Sequence, residues 1–186
     1  GANSAADDAY SVANSCRFDL AGTSYMARSP SGATNRKTFT ISFWVKRCGE
    51  DVEDYFFNVG PGATDRFNIL FLYEGMYVWE NVDGWDISFD TSMMFRDPSA
   101  WYHVVIAIDT TQATEANRFK VYVNGSQITA WAEAGYPDQN YDTKVNTTDE
   151  MRWGRNFGSE TQYFSGYLAE VILIDGTAYA ASDFGE

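Results

Sequence analysis

The stretch AWYHVVIAID, Ala100 to Asp109, holds the single histidine of the 186-residue chain. An imidazole beside Trp101, Tyr102 and Asp109 has the residue types of an acid–base centre, so its placement is the first question. Side chains alternate between faces along a strand. His103 then shares a face with Trp101, Val105 and Ala107, while Tyr102, Val104, Ile106 and Ile108 take the other. Asp109 lies on the His103 side but roughly 20 Å further along an extended strand, out of reach of the ring. Both faces are largely apolar, as in an internal strand. The histidine reads as packed and hydrogen-bonded rather than catalytic.

Carboxylates are the next candidates. Retaining glycoside hydrolysis needs a pair about 5 Å apart. EDVED (50–54) puts its acids on both faces of any strand and follows Cys48-Gly49, so it reads as an exposed loop. Glu74 and Glu80 bracket one hairpin strand and are too far apart along it. Glu170 stands alone in YLAEVILID. No Gly-x-Ser-x-Gly elbow, phosphate loop or zinc pattern is present. The chain is expected to be no enzyme.

Binding chemistry is better represented. YEGMYVWENVDGWDISFD (73–90) gathers Tyr73, Tyr77, Trp79 and Trp85 with Glu80, Asn81, Asp83 and Asp86. Sugars present apolar C–H faces and hydroxyl edges, which suit aromatic platforms beside carboxylates and amides. Alternation puts Tyr77 and Trp79 on one face. The same alternation describes a sandwich core, so core packing and rim exposure are both open for each ring. Trp85, beside Asp83-Gly84, is the best placed to be exposed. YPDQNYD (136–142) repeats this chemistry with Tyr136, Asp138 and Tyr141.

The elements that must position these groups have a period of two almost throughout. TFTISFWVKR (38–47) alternates Phe39, Ile41, Phe43 and Val45 against Thr40, Ser42, Trp44 and Lys46. RFNILFLY and MYVWE are joined at Glu74-Gly75, and RFKVYV and SQITAW at Asn124-Gly125, whose residues tolerate the φ > 0 of a type I′ turn. YFSGYLAEVILID (163–175) reads as a central strand. Helical periodicity is confined to TAYAASDF, with Ser182 or Thr177 as weak caps. About twelve strand candidates at this spacing describe a two-sheet sandwich. The connection 133–150 is long and polar, as functional loops often are.

Composition narrows the partners. Asp and Glu number 26 against 13 Lys and Arg, a net charge of −13, which repels nucleic acid and anionic membrane surfaces. No apolar run reaches a membrane span. The N-terminus lacks the basic and apolar regions of a secretory leader, and the chain reads as a module beginning inside a longer protein. Residues 1–15 are expected to be an N-terminal segment or linker and 16–186 the domain. Cys16 and Cys48 are too few for a disulfide framework.

The order TFTISFWVKR, WYHVVIAID, RFKVYVNGSQIT, MRWGR and FSGYLAEVILIDG resembles the concanavalin A-like, or laminin G-like, lectin/glucanase domain. The resemblance implies an all-β jelly-roll β-sandwich of two antiparallel sheets, with His103 as a scaffold residue. The glutamate-aspartate-glutamate strand of glucanases on that fold is absent, and no lyase pattern matches. A polysaccharide hydrolase or lyase is therefore the alternative, not the main reading. Calcium is a ligand the resemblance brings with it. Asp109, Asp138, Asp142 and Asp149 are the candidate oxygen donors, against an unoccupied acidic surface, and no cofactor is required. SYMARSPSGATNRKTFTISFWVKR and FSGYLAEVILIDGTAYAASDFGE are similar, more narrowly, to such domains in virion structural proteins of marine tailed bacteriophages. That implies a virion module, oligomeric with its parent protein, that binds host-surface glycan or packs against neighbouring virion subunits.

Overall fold

Alternation of period two becomes thirteen strands in a computed structural model that describes residues 14–19, 21, 23–48, 53–82, 84–158 and 162–185. In chain order they are β1 (Cys16–Phe18), β2 (Met26–Arg28), β3 (Thr38–Arg47), β4 (Glu53–Val59), β5 (Arg66–Leu72), β6 (Gly75–Asn81) and β7 (Trp85–Met94). There follow β8 (Tyr102–Asp109), β9 (Phe119–Val123), β10 (Ser126–Gln127), β11 (Trp131–Gly135), β12 (Met151–Trp153) and β13 (Gly166–Asp175). They form two antiparallel sheets, a six-stranded one in the order β1-β13-β3-β8-β9-β10 and a seven-stranded one in the order β11-β7-β6-β5-β4-β12-β2. This is the expected jelly-roll sandwich. No helix among the described residues is long and apolar enough to cross a membrane.

The inner faces meet through aromatic rings. Phe43 of β3 packs on Phe56 of β4 at 5.2 Å between centroids, and Phe89 of β7 stacks on Phe119 of β9 at 3.9 Å. Both contacts join one sheet to the other, and all four rings are buried. The outer face of the six-stranded sheet is covered as well, because residues 176–185 lie across it. Thr40 Oγ1 donates to the carbonyl of Thr177 and accepts from the amide of Tyr179, and Phe184 meets the His103 ring edge-on. That cover explains why Thr40, Ser42 and Val105, on the outer side, are as buried as the core.

Asn124 and Gly125 take φ of 48° and 79°, so the hairpin expected there forms, with Val123 opposite Ser126. Its second strand is brief. The chain then crosses to the other sheet, where β11 pairs with β7.

Four expectations are corrected. The β5–β6 turn sits at Tyr73-Glu74, one residue early, with Leu72 opposite Gly75 and Tyr73 at φ 54°. Gly75 belongs to the strand, paired with Leu72 of β5 and Met94 of β7, and a Cβ there would stand 3.2 Å from the Asp90 carboxylate and 3.3 Å from the Tyr77 ring. YFSGYLAEVILID is central only in part. It lies between β1 and β3, but β1 covers only Gly166–Leu168, and beyond a register shift at Glu170 (φ 49°) β3 is its one partner among the described residues, with Ile172 41% exposed. EDVED is not wholly a loop: Glu53 opens β4, and Asp54 is buried 3.4 Å from Arg47. Glu50, Asp51 and Val52 lie outside the described residues, as does most of the proposed N-terminal segment. TAYAASDF forms only a 3-10 turn, Ala181–Phe184, started by Ala180 rather than Ser182 or Thr177, with the Asp183 carboxylate accepting from the Ala180 amide. Cys16 and Cys48 are exposed and unpaired.

The long connection after β11 is anchored by Glu80 of β6, which points into the sandwich. One carboxylate oxygen accepts from the Tyr141 hydroxyl at 2.6 Å and the other from the Lys144 amide at 2.9 Å. Burial outweighs both hydrogen bonds and pushes this carboxyl up to about 7. It also lifts the Tyr141 phenol, which faces the charge of Glu80.

Two outcomes follow. Phe89→Ala, which empties a ring site between the sheets, destabilises the fold by about 3–5 kcal/mol, read as a lower urea midpoint at unchanged slope. The folded chain holds the Glu80 proton more tightly than the unfolded chain, whose carboxyl titrates near 4.5. Stability from this group therefore falls as pH rises from about 4.5 to about 7 and is level above. Glu80→Gln flattens that segment of the stability–pH profile; a profile parallel to wild type would refute the assignment.

Candidate functional site

His103 sits on the outer side of β8, beneath the C-terminal segment. Its Nε2 lies 2.9 Å from Ser42 Oγ and its ring stacks on Trp44 at 4.9 Å. The Asp109 carboxylate is engaged elsewhere, accepting from Thr111 and Gln112 side chains at 2.6 Å each. The two side chains form no dyad.

The outer face of the seven-stranded sheet is different, since among the described residues no segment covers its β6–β7–β11 half. Met76, Val78, Ile87 and Phe89 enter the core, so the alternate residues of the same strands face out. In register, Tyr77 of β6 lies opposite Asp90 of β7, and Trp79 opposite Ser88. Asp90 in turn lies opposite Glu133 of β11. Trp85, 68% exposed, meets Trp79 edge-on at 5.5 Å, and Arg66 of β5 lies 5.1 Å over the Trp79 ring. Tyr73, 65% exposed, stands at the turn where this row begins. A groove of about 840 Å³ opens beside it, lined by Tyr73, Glu74, Tyr77, Asp90, Met94 and Arg96 among others.

Polar groups of the groove are held in place. The Tyr77 hydroxyl donates to the Asp90 carboxylate, and burial with that bond pushes the phenol up to about 12. Burial, aided by the charge of Glu133, holds the Asp90 carboxyl above the usual carboxylate range despite the Tyr77 bond. Ser88 Oγ donates to Glu133 at 2.6 Å, and Arg96 pairs with Glu74 at 2.7 Å.

The other half of the face is roofed by residues 154–158. The Phe157 amide donates to Asn58 Oδ1 at 3.2 Å, Arg66 bonds to Asn156, and Arg152 lies 3.9 Å over the Phe157 ring. Among the described residues, the aromatic half is the part of this face left open.

The structure therefore brings Tyr73, Tyr77, Trp79 and Trp85 to one surface, with Asn81 half-buried at the far end of β6. Asp83 lies outside the described residues. Asp86 turns away from the row: its carboxylate accepts from the Val82 amide at 2.9 Å and reaches the Glu80–Tyr141 pair. YPDQNYD does not present a second aromatic platform. Tyr136 packs edge-on against Phe89 at 4.9 Å and Tyr141 is spent on Glu80, which leaves Asp138 exposed without its aromatic neighbours. Asp109, Asp138, Asp142 and Asp149 are not brought together, and among the described residues no three His, Cys, Asp or Glu side chains converge. Ser88, Asp90 and Glu133 were missed. The first two are signalled by the alternation of WDISFD once β7 is paired with β6, whereas Glu133 is placed by a sheet-crossing connection that has no local signal.

A family model described as the concanavalin A-like lectin/glucanases superfamily matches residues 20–181. No curated protein matches the chain. Solved structures do. The mouse laminin alpha1 chain domains LG4-5 superpose with a TM-score of 0.58 at 14% identity, over 90% of this chain and 43% of that one, so the chain spans under half of that fragment. Domain 4 of AbnA, a GH43 extracellular arabinanase from Geobacillus stearothermophilus solved with arabinotriose, gives 0.56 at 15% identity, over 89% and 83%. The Ruminococcus gnavus IT-sialidase CBM40 bound to α2,6-sialyllactose gives 0.56 at 15%, over 87% and 96%. At these identities the likeness is one of fold. With both sheets of the sandwich in place and the family model spanning nearly the whole described chain, this protein belongs to the concanavalin A-like lectin/glucanases superfamily.

Proposed function

We propose that this chain is a non-enzymatic carbohydrate-binding module and that it binds on the outer face of the β6–β7–β11 half of the seven-stranded sheet. The observation that carries the reading is the row of Tyr73, Tyr77, Trp79 and Trp85 beside the groove, with Asp90, Ser88 and Glu133 facing the same way. Large aromatic surface left in water costs stability unless something covers it. Flat rings take the C–H faces of a sugar, and adjacent carboxylates and hydroxyls take its edges. Two neighbours of this fold were solved with saccharides, one with neutral arabinotriose and one with acidic sialyllactose, which supports saccharide binding in general but no particular ligand charge.

The reading needs no metal. Its setting follows from the sequence resemblance to virion domains: attachment of a particle to host-surface glycan, where many copies raise a modest single-site affinity.

A glycan array followed by calorimetric titration tests the reading. Trp85→Ala and Tyr77→Ala each weaken binding about tenfold or more, with Trp85→Ala leaving the unfolding midpoint within error because that ring is exposed. Binding that survives both substitutions would place the site elsewhere. A chelator leaves affinity unchanged; its loss on chelation would make calcium part of the site. Shortening of the bound polysaccharide over time would make the domain an enzyme.

A further inference from the structure

We propose that the groove selects by charge: it accepts saccharides that carry no carboxylate, neutral or amine-bearing, and turns away acidic ones. This rests on the outer face being the glycan-binding surface and specifies its ligand class.

The charges around the groove decide the matter. At the β5–β6 turn Glu74 is neutralised by Arg96 at 2.7 Å. On the floor Arg47 is buried and pairs with Asp54 at 3.4 Å, its guanidinium 4.6 Å over the Phe71 ring. Buried Arg47 has no charge to spare for a ligand, and Arg96, exposed at the rim, is matched by the Glu74 charge beside it. The outward positions of β6, Tyr77 and Trp79, are uncharged. Arg66 lies further along the face, buried and bonded to Asn156 beneath Gly158. What remains beside the groove is Asp90 and Glu133, adjacent across the β7–β11 register. Neither has a cationic partner among the described residues.

Their hydrogen bonds come from neutral donors, the Tyr77 hydroxyl to Asp90 and the Ser88 hydroxyl to Glu133. Each carboxylate keeps acceptor capacity for a sugar hydroxyl and gains more from an ammonium. A sugar carboxylate brings a third like charge beside half-buried Asp90 and exposed Glu133, whose two charges already stand opposite each other across the register. Burial, with a smaller contribution from the Glu133 charge, already holds the Asp90 carboxyl above the usual carboxylate range.

An array of neutral, de-N-acetylated and carboxylated members of matched oligosaccharide backbones tests this. Amine-bearing and neutral forms bind, and carboxylated forms bind about tenfold more weakly or worse, with the gap narrowing as salt is raised. In the Asp90→Asn, Glu133→Gln double variant the carboxylated forms gain relative to neutral ones. Both substitutions keep an acceptor for Tyr77 and Ser88, and an unfolding curve verifies the fold. Carboxylated forms binding as well as neutral ones, or a preference unmoved in the double variant, overturns the charge selection while leaving the binding face intact. Binding of no member overturns the binding face, and the selection with it.

Discussion

Aromatic packing between the two inner faces is the interaction on which the rest of this molecule depends. Phe43 on Phe56 and Phe89 on Phe119 clamp one sheet to the other, and buried aliphatic residues such as Ile41, Ile69, Val78 and Ile106 fill the space between. Because strands alternate, the residues that do this leave every second position free for the outside. The two outsides are then used differently. On the six-stranded sheet the C-terminal segment takes the free positions and buries His103 and Val105. On the seven-stranded sheet residues 154–158 cover only one half, and the aromatic row lies on the other.

Buried polar groups set the borders of that open half. Glu80 ties the chain after β11 to the inside of β6 through Tyr141 and Lys144, so this long connection closes the end of the sandwich. Arg47 and Asp54 hold the groove floor from the side of β3 and β4. Removing Arg47 takes from buried Asp54 its ion-pair partner, and breaking a buried pair costs far more than an exposed pair is worth. The groove is thus bounded by elements that move only at a large energetic cost, and its side chains are held in place before any ligand arrives.

Local signals carried much of this architecture. The alternation of TFTISFWVKR and AWYHVVIAID predicts the strands that occur, and Asn124-Gly125 predicts its hairpin, because both effects act within a few residues. Signals failed where a partner distant in the chain decided the outcome. EDVED looked solvated because its acids cannot reveal that Arg47 waits to pair with Asp54. Glu74-Gly75 looked like the turn because the sequence does not show Gly75 pairing with Met94 of β7. Tyr136 and Tyr141 looked like Tyr77 and Trp79, since a ring followed by polar residues reads the same whether it is turned to Phe89, to Glu80 or to water.

The sequence by itself determined the fold class and the aromatic, carboxylate-rich chemistry of residues 73–90. Hydrophobic period and turn chemistry are local, and composition needs no geometry. Only the tertiary structure decided which rings are exposed and which carboxylates stand beside them. Exposure depends on what covers a face, and the covers here, the C-terminal segment, residues 154–158 and β11, reach their sheets from far along the chain. Trp85 and Tyr136 have similar sequence surroundings, yet Trp85 is exposed beside Trp79 while Tyr136 is half-buried against Phe89, for that reason.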